Sequence, residues 1–463
     1  MKNKSYFLST RISENIYKFI VNPAKIHAES KLKSKLEIKY FQHAPYPDII
    51  FIFYIFYVIL TGKIFFNKKF INLKYSGYVI GRYALSHSMR EGTYYRSKIT
   101  FFFSKLKILI IAGKLINSLN QINKSSQAIY IDHGMYINGI ILQAAIKKKL
   151  IIYSNNYPRG LFCYDFRFFK KKLDLQYEDL LKLTPEKINK KKLIETKKIV
   201  KKICYYEKPY PWMSKTKFLN FKNNFDLKNI THIIYAHSFL ETQYIFGNDG
   251  FLDYEHWLVF TIKKLSRNKE NFILIKAHPN FYTKNFSDIN YLDSEIFKKI
   301  KKKFEKKTNV FFLDYPYKNY HLLNKVSKKT VIVMRHSSAL IDAIYFGFKV
   351  IFSSANVWNV KYLKAENCWK NINEYEALLE KKWDNLSYFS KSSFYRLCYD
   401  LYCNDKNFFG NKCWHTLLIN KFKLSLQDYI SGNVIKKNFS KRKIIDFQRT
   451  IAIKSIEVIK NIY

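Results

Sequence analysis

The chain has 463 residues. That exceeds the roughly 250–300 at which one hydrophobic core stops growing, so two domains are expected. Hydrophobic residues make up 48%, which excludes wholesale disorder. A formal charge of +46 would ordinarily suggest nucleic acid. Here the lysines are scattered among abundant Ile, Asn, Phe and Tyr, without a zinc-finger or RNA-recognition pattern, so anionic lipid is the expected partner and nucleic acid is not.

Taken in chain order, the N-terminus MKNKSYFLSTRISENIY lacks the apolar core of a signal peptide. The run IIFIFYIFYVIL (49–60) is intensely apolar but twelve residues long. A spanning helix needs about 20, so a buried strand or helix, or an interfacial segment, is expected. Residues 101–125 predict a helix. SQAIYIDHG (126–134) reads as a strand ending in a turn, INGIILQAAIKKK (137–149) as a helix and LIIYSN (150–155) as a strand buried on both faces. From 170 to 228 the chain is charged and predicts exposed amphipathic helices, closed by the YPWM turn at 210–213.

A second alternating unit follows, with strands over 231–238, 271–278, 309–314, 330–335 and 349–354. Helices are expected between them over 255–268, 320–327 and the SALIDAIYFG segment. This alternation predicts an α/β fold with a doubly wound parallel sheet. The domains are read as 1–210, a linker at 211–230, a second domain at 231–400 and a helical extension at 401–463. The tail 441–463 has the pattern of a basic amphipathic helix. Six cysteines without C-x-x-C spacing suit a reducing compartment, and Cys398, Cys403 and Cys413 beside His415 match no zinc spacing. Neither a metal nor another cofactor is expected.

Two strand ends carry the chemistry. ENFILIKAHP enters a corner at His278-Pro279, and KTVIVMRHSS enters a pair at Ser337-Ser338 that opens a helix. Hydroxyls and free backbone N–H groups at a helix start suit a phosphate, and His278 offers a further donor. A Ser pair in this place also serves simply as a cap. Lys276 and Arg335 are the nearby candidate cations. In the first domain Asp132 and His133 end a strand beside Gly134 and are the candidates for a general base; capping and turn packing are the plain alternatives. His237, Asp249 and Glu255 are weaker candidates to line the same cleft, Glu255 also suiting a helix N-terminus.

In these segments the chain resembles bacterial capsule and surface-polysaccharide biosynthesis proteins, a group related to capsular Kdo transferases and bacterial sialyl- and polysialyltransferases. The likeness rests on His278-Pro279, on Ser337-Ser338, on HSFLETQYIFGNDGFLDYEHW (237–257), on IDHGMYINGIILQAAIKKKLIIY (131–153) and on KYSGYVIGRYALSHSMR (74–90). It runs at motif level from about Lys74 to Ser354. The resemblance implies a GT-B-like fold, two Rossmann-like parallel-sheet domains facing a cleft with a helical C-terminal extension. It implies a metal-independent glycosyltransferase of capsule or lipopolysaccharide biosynthesis. The partners would be a nucleotide-sugar donor, a CMP-linked acid sugar being favoured, and a glycan or glycolipid acceptor. The place would be the cytoplasmic, inner face of the membrane, held peripherally. Asp342 stands where those enzymes usually have a Glu for a sugar or ribose hydroxyl. Asp132-His133-Gly134 stands where they have an acidic-acidic-Gly catalytic motif, and Asn248-Asp249-Gly250 is closer to it in letters. A CDP-polyol phosphotransferase of teichoic-acid type and a non-catalytic scaffold binding anionic polymers are the alternatives.

Overall fold

The structure, a computed structural model, describes residues 46–120, 136–147, 188–205, 225–241, 248–282, 288–355 and 367–402, residues 219 and 244, and strand backbone at 4–7, 37–40, 126–131, 151–156 and 160–164. These residues form two compact units. Those up to 87 and between 102 and 175 make the first, and those at 88–101 and 176–404 make the second. In the second unit the helix Lys190–Cys204 packs on the helices Lys391–Tyr402 and Ala339–Tyr345. It does so through the buried side Thr196, Val200, Ile203 and Cys204.

The first unit holds strands β1 (Lys4–Phe7), β2 (Glu37–Tyr40), β5 (Ser126–Ile131), β6 (Ile151–Asn156) and β7 (Gly160–Tyr164), with a small hairpin of β3 (Lys74–Tyr75) and β4 (Tyr78–Val79). The five-stranded sheet runs β2-β1-β5-β6-β7. It is parallel except for β7, which lies antiparallel on β6. The apolar run 49–60 is a helix, Ile49–Leu60. Asp48 caps it, accepting from Phe51 N–H at 2.7 Å, which satisfies one of the donors a helix start leaves open. Its inner side, Phe51, Ile55 and Val58, is buried. Phe51 lies so close to Gly113 of the helix Lys98–Asn120 that a Cβ there would overlap the ring. No helix among the described residues is long and apolar enough to cross a membrane.

The second unit holds β8 (His232–Tyr235), β9 (Ile273–Lys276), β10 (Val310–Leu313), β11 (Val331–Met334), β12 (Lys349–Ser353) and β13 (Cys368–Trp369). They form one six-stranded parallel sheet in the order β10-β9-β8-β11-β12-β13. The chain starts at the centre, winds outward through β9 and β10, then returns to β11 and winds the other way. This is a Rossmann-like doubly wound sheet, and its order reverses between β8 and β11. Helices cross between the strands: Tyr254–Leu265, Asp288–Phe304, Asn319–Lys325 and Ala339–Tyr345. Helices on both faces explain why ILIK, VIVM and KVIFS are apolar runs rather than alternating ones, since every residue in them is buried. Gly347, at φ +78°, ends the last of these helices, its N–H bonding Ile344 O at 3.0 Å.

Candidate functional site

Ligands in doubly wound sheets bind beyond the carboxyl ends of the strands, where the order reverses. Three adjacent strands there carry a histidine at the same place, two residues past the strand end. His237 follows β8, His278 follows β9 and His336 follows β11. His237 is in the middle. Its ring centre lies 5.5 Å from that of His278 and 6.4 Å from that of His336. Tyr254, the first residue of its helix, stacks on His237 at 4.7 Å and meets His336 edge-on at 5.5 Å. His336 is buried, while His237 and His278 are half-buried. Sequence reasoning names His237 and His278 but not His336. The signal that finds it is the shared offset from three strands, and this appears only once the strand order is known.

All three imidazoles are held below the ordinary histidine pKa. Burial is the first cause for each. For His278 the neighbouring His237 and Lys276 add to it, and for His336 Arg335 and His237 do. The row is therefore neutral at pH 7, and each ring offers one N–H and one lone pair. At His237, Nδ1 lies 3.2 Å from Ser238 O, a carbonyl that can only accept, so the proton sits on Nδ1 and Nε2 is the accepting nitrogen. No group of three or more His, Cys, Asp or Glu among the described residues could hold a metal ion.

The turn that carries His237 is anchored from an element that the sequence does not announce, the helix Asp288–Phe304. Its buried side is Asp293, Ile296, Phe297, Ile300 and Phe304, a helical stripe with one carboxylate. Asp293 accepts from Ser238 Oγ, and from Phe239 N–H at 2.8 Å. Burial raises its pKa to about 7, against the pull of these hydrogen bonds.

Beside the row stands the Ser pair. Ser337 Oγ accepts from Ala339 N–H at 3.1 Å, so Ser337 closes the local turn. Ser338 occupies the capping position of the helix Ala339–Tyr345 without a side-chain capping bond. The capping role thus falls to the first hydroxyl. Lys276 ends β9, almost wholly buried, with its ammonium 5.6 Å from the Tyr235 ring centre. Burial lowers its pKa to about 8, so it still carries most of a charge at pH 7.

Two charged candidates are held by partners inside the second unit. Arg335, expected to meet a donor phosphate, is paired there. Its Nε and Nη2 donate to Asp249 Oδ2 and Oδ1, each at 2.8 Å, and Nη2 also donates to Phe251 O at 3.1 Å. Ser353 Oγ and Phe251 N–H complete the carboxylate shell at 2.7 and 3.3 Å. Asp249 is fully buried, so it does not line a cleft. The reason is electrostatic: neither charge tolerates burial alone, and a bidentate pair neutralises both. Burial by itself would lower the Arg335 pKa, but the adjoining Asp249 carboxylate outweighs it and raises it above the usual value.

Asp342, expected to reach a sugar or ribose hydroxyl, also turns inward. It accepts from Asn319 Nδ2 at 2.6 Å. Burial raises its pKa to about 7. Glu255 sits in the first turn of the helix capped by Asp253, which accepts from His256 N–H at 2.6 Å. Burial and then Asp253 raise the Glu255 pKa, and its place fits the dipole-complementing alternative. Asp132, His133 and Gly134 lie outside the described residues, as do the tail 441–463 and the Cys403, Cys413 and His415 cluster. No protein-family model matches the sequence, and no curated protein matches it.

Proposed function

We propose that the chain is a nucleotide-sugar-dependent glycosyltransferase of GT-B type, and that the edge of the second unit holds the donor's phosphate. The observation that carries this reading is the row His278, His237 and His336 over the point where the strand order reverses, with Ser337-Ser338 beside it. In the transfer, an acceptor hydroxyl oxygen bonds the anomeric carbon as the bond from that carbon to the phosphate oxygen breaks. The electron pair leaves on the phosphate, and the hydroxyl proton goes to a base. The imidazole N–H groups of His278 and His336, the Ser338 hydroxyl and the Lys276 ammonium suit the charge that develops on the phosphate, and donors positioned in this way contribute strongly to catalysis. The base remains assigned to Asp132 or His133 on sequence grounds. A CMP-linked acid sugar is the favoured donor and a surface glycan or glycolipid the acceptor, by resemblance.

The test is thermal stabilisation by CMP-, UDP- and GDP-linked sugars, followed by product mass. At a ligand concentration of about 100 Kd the folded state gains about 2.7 kcal/mol, a clear shift in melting temperature. Stabilisation by a CMP-sugar that His278→Ala abolishes supports the reading. A polyol-phosphate adduct from CDP-glycerol makes the chain a phosphotransferase, and indifference to every donor removes the transferase reading.

A further inference from the structure

The helix Ile49–Leu60 buries one side and leaves the other bare. Ile49, Phe53, Phe56 and Leu60 form one stripe at helical spacing, and Phe65 and Phe66 follow in the next turn, all between 55% and 84% exposed. Isolated exposed apolar residues are ordinary, but a continuous helix face is not. The turn that presents Phe65 and Phe66 is pinned. Gly62 takes φ +67°, and the buried Lys105 donates to Ile64 O and to Asn67 Oδ1. The bare face is thus held in place by the interior of the first unit.

Charge at its rim identifies the occupant. From Ile49 to Leu73 the sequence holds no Asp or Glu, but it holds Lys63, Lys68 and Lys69. Lys63 lies 4.4 Å from the Tyr57 ring centre and donates to its hydroxyl at 2.7 Å, and Lys69 lies 5.1 Å from the Phe66 ring. These cations flank the apolar stripe as snorkelling lysines flank an interfacial helix. A second copy of the chain is disfavoured here, because a two-fold contact would set like charges against each other. At about 1.5 Å per residue, twelve residues reach about 18 Å, well short of the roughly 30 Å of a bilayer core.

We infer that this face of the first unit is a membrane-docking surface. The helix Ile49–Leu60 lies in the plane of an anionic phospholipid leaflet, its apolar stripe among the acyl chains and Lys63, Lys68 and Lys69 among the headgroups. This holds whatever reaction the second unit performs.

The test is sedimentation of the full-length protein with phosphatidylcholine vesicles, with and without phosphatidylglycerol. The parent should bind the anionic vesicles and keep part of that binding at about 1 M salt, where the screening length is about 3 Å. Phe53→Ser/Phe56→Ser/Leu60→Ser should weaken partitioning at least about 100-fold, since each large side chain is worth roughly tenfold or more. Its circular dichroism and melting temperature should match the parent, the three positions being exposed. Lys63→Glu/Lys68→Glu/Lys69→Glu should remove the preference for phosphatidylglycerol. The inference is overturned if the parent ignores vesicles, if salt alone releases it completely, or if the triple serine variant binds as the parent does. It is equally overturned if the parent is a dimer that the serine variant splits without any change in lipid binding.

Discussion

Asp249→Ala tests whether the Arg335–Asp249 pair belongs to the scaffold or to the ligand site. The substitution removes four accepted hydrogen bonds, from Arg335 Nε and Nη2, Ser353 Oγ and Phe251 N–H, and leaves a guanidinium in the interior. Breaking a buried pair from one side costs about 3–5 kcal/mol, because the remaining charge has no partner and little water. In a unit of 150–250 residues each kcal/mol lowers the melting temperature by about 2–4 °C, so a fall of roughly 6–20 °C is expected. The assay is thermal unfolding of parent, Asp249→Ala, Arg335→Met and the double variant. The double variant should be less unstable than Asp249→Ala alone, because it no longer buries an unpaired cation. A melting temperature for Asp249→Ala within a degree or two of the parent would refute this account. It would return Arg335 to the groups free to meet a phosphate.

Two further outcomes are expected. His278→Ala should lower turnover by about 10²-fold with little change in melting temperature, as for the loss of one positioned donor, and normal turnover would make His278 a plain strand-end residue. The second unit should also lose stability on acidification from about pH 6.5 to about pH 5, read by urea midpoints. His237, His278 and His336 are held low, and burial takes His232 down to about 4. Below the unfolded value of 6.5 the unfolded chain binds protons that these rings resist, at up to about 1.4 kcal/mol per pH unit for His232, whose folded value is about 4. Asp293 and Asp342, raised to about 7, act in the opposite sense: their contribution is present in acid and is lost as pH rises through their folded pKa. The histidines are more numerous, so acid destabilises; a midpoint that rises towards pH 5 would contradict the burial of the row.

Five of the six strands of the second unit are legible in sequence because each is a short apolar run between turn residues, the mark of burial on both faces, whereas β13, two residues long, is not. The run 49–60 is harder. Apolar at every position, it carries no period, so helix and strand cannot be told apart until Phe51 is seen against Gly113. β1 and β2 escape because KSYF and EIKY are four residues long with mixed polarity. The helix Asp288–Phe304 escapes although its stripe is present, its lysines giving it the look of a charged connection. At the site, His278 and the Ser pair can be found from strand-end logic alone. His336 cannot, since its neighbours come from strands far apart in sequence. Nor can the fate of Arg335, whose partner is 86 residues away.

The strand order also bears on how the unit assembles. β8 meets β9 across a connection of 41 residues, as the Thr231–Phe272 contact shows, but meets β11 across 100, as Ile230 and Thr330 show. Closing the longer loop adds little to the equilibrium cost, about 0.6 kcal/mol per doubling of length, but non-local pairing slows folding. The β8–β9–β10 half can gather early and bring His237 beside His278, whereas His336 joins only when the centre of the sheet closes. Hydrogen-exchange protection of Val331 N–H, which bonds Thr231 O at 2.8 Å, therefore dates the arrival of the third imidazole during refolding.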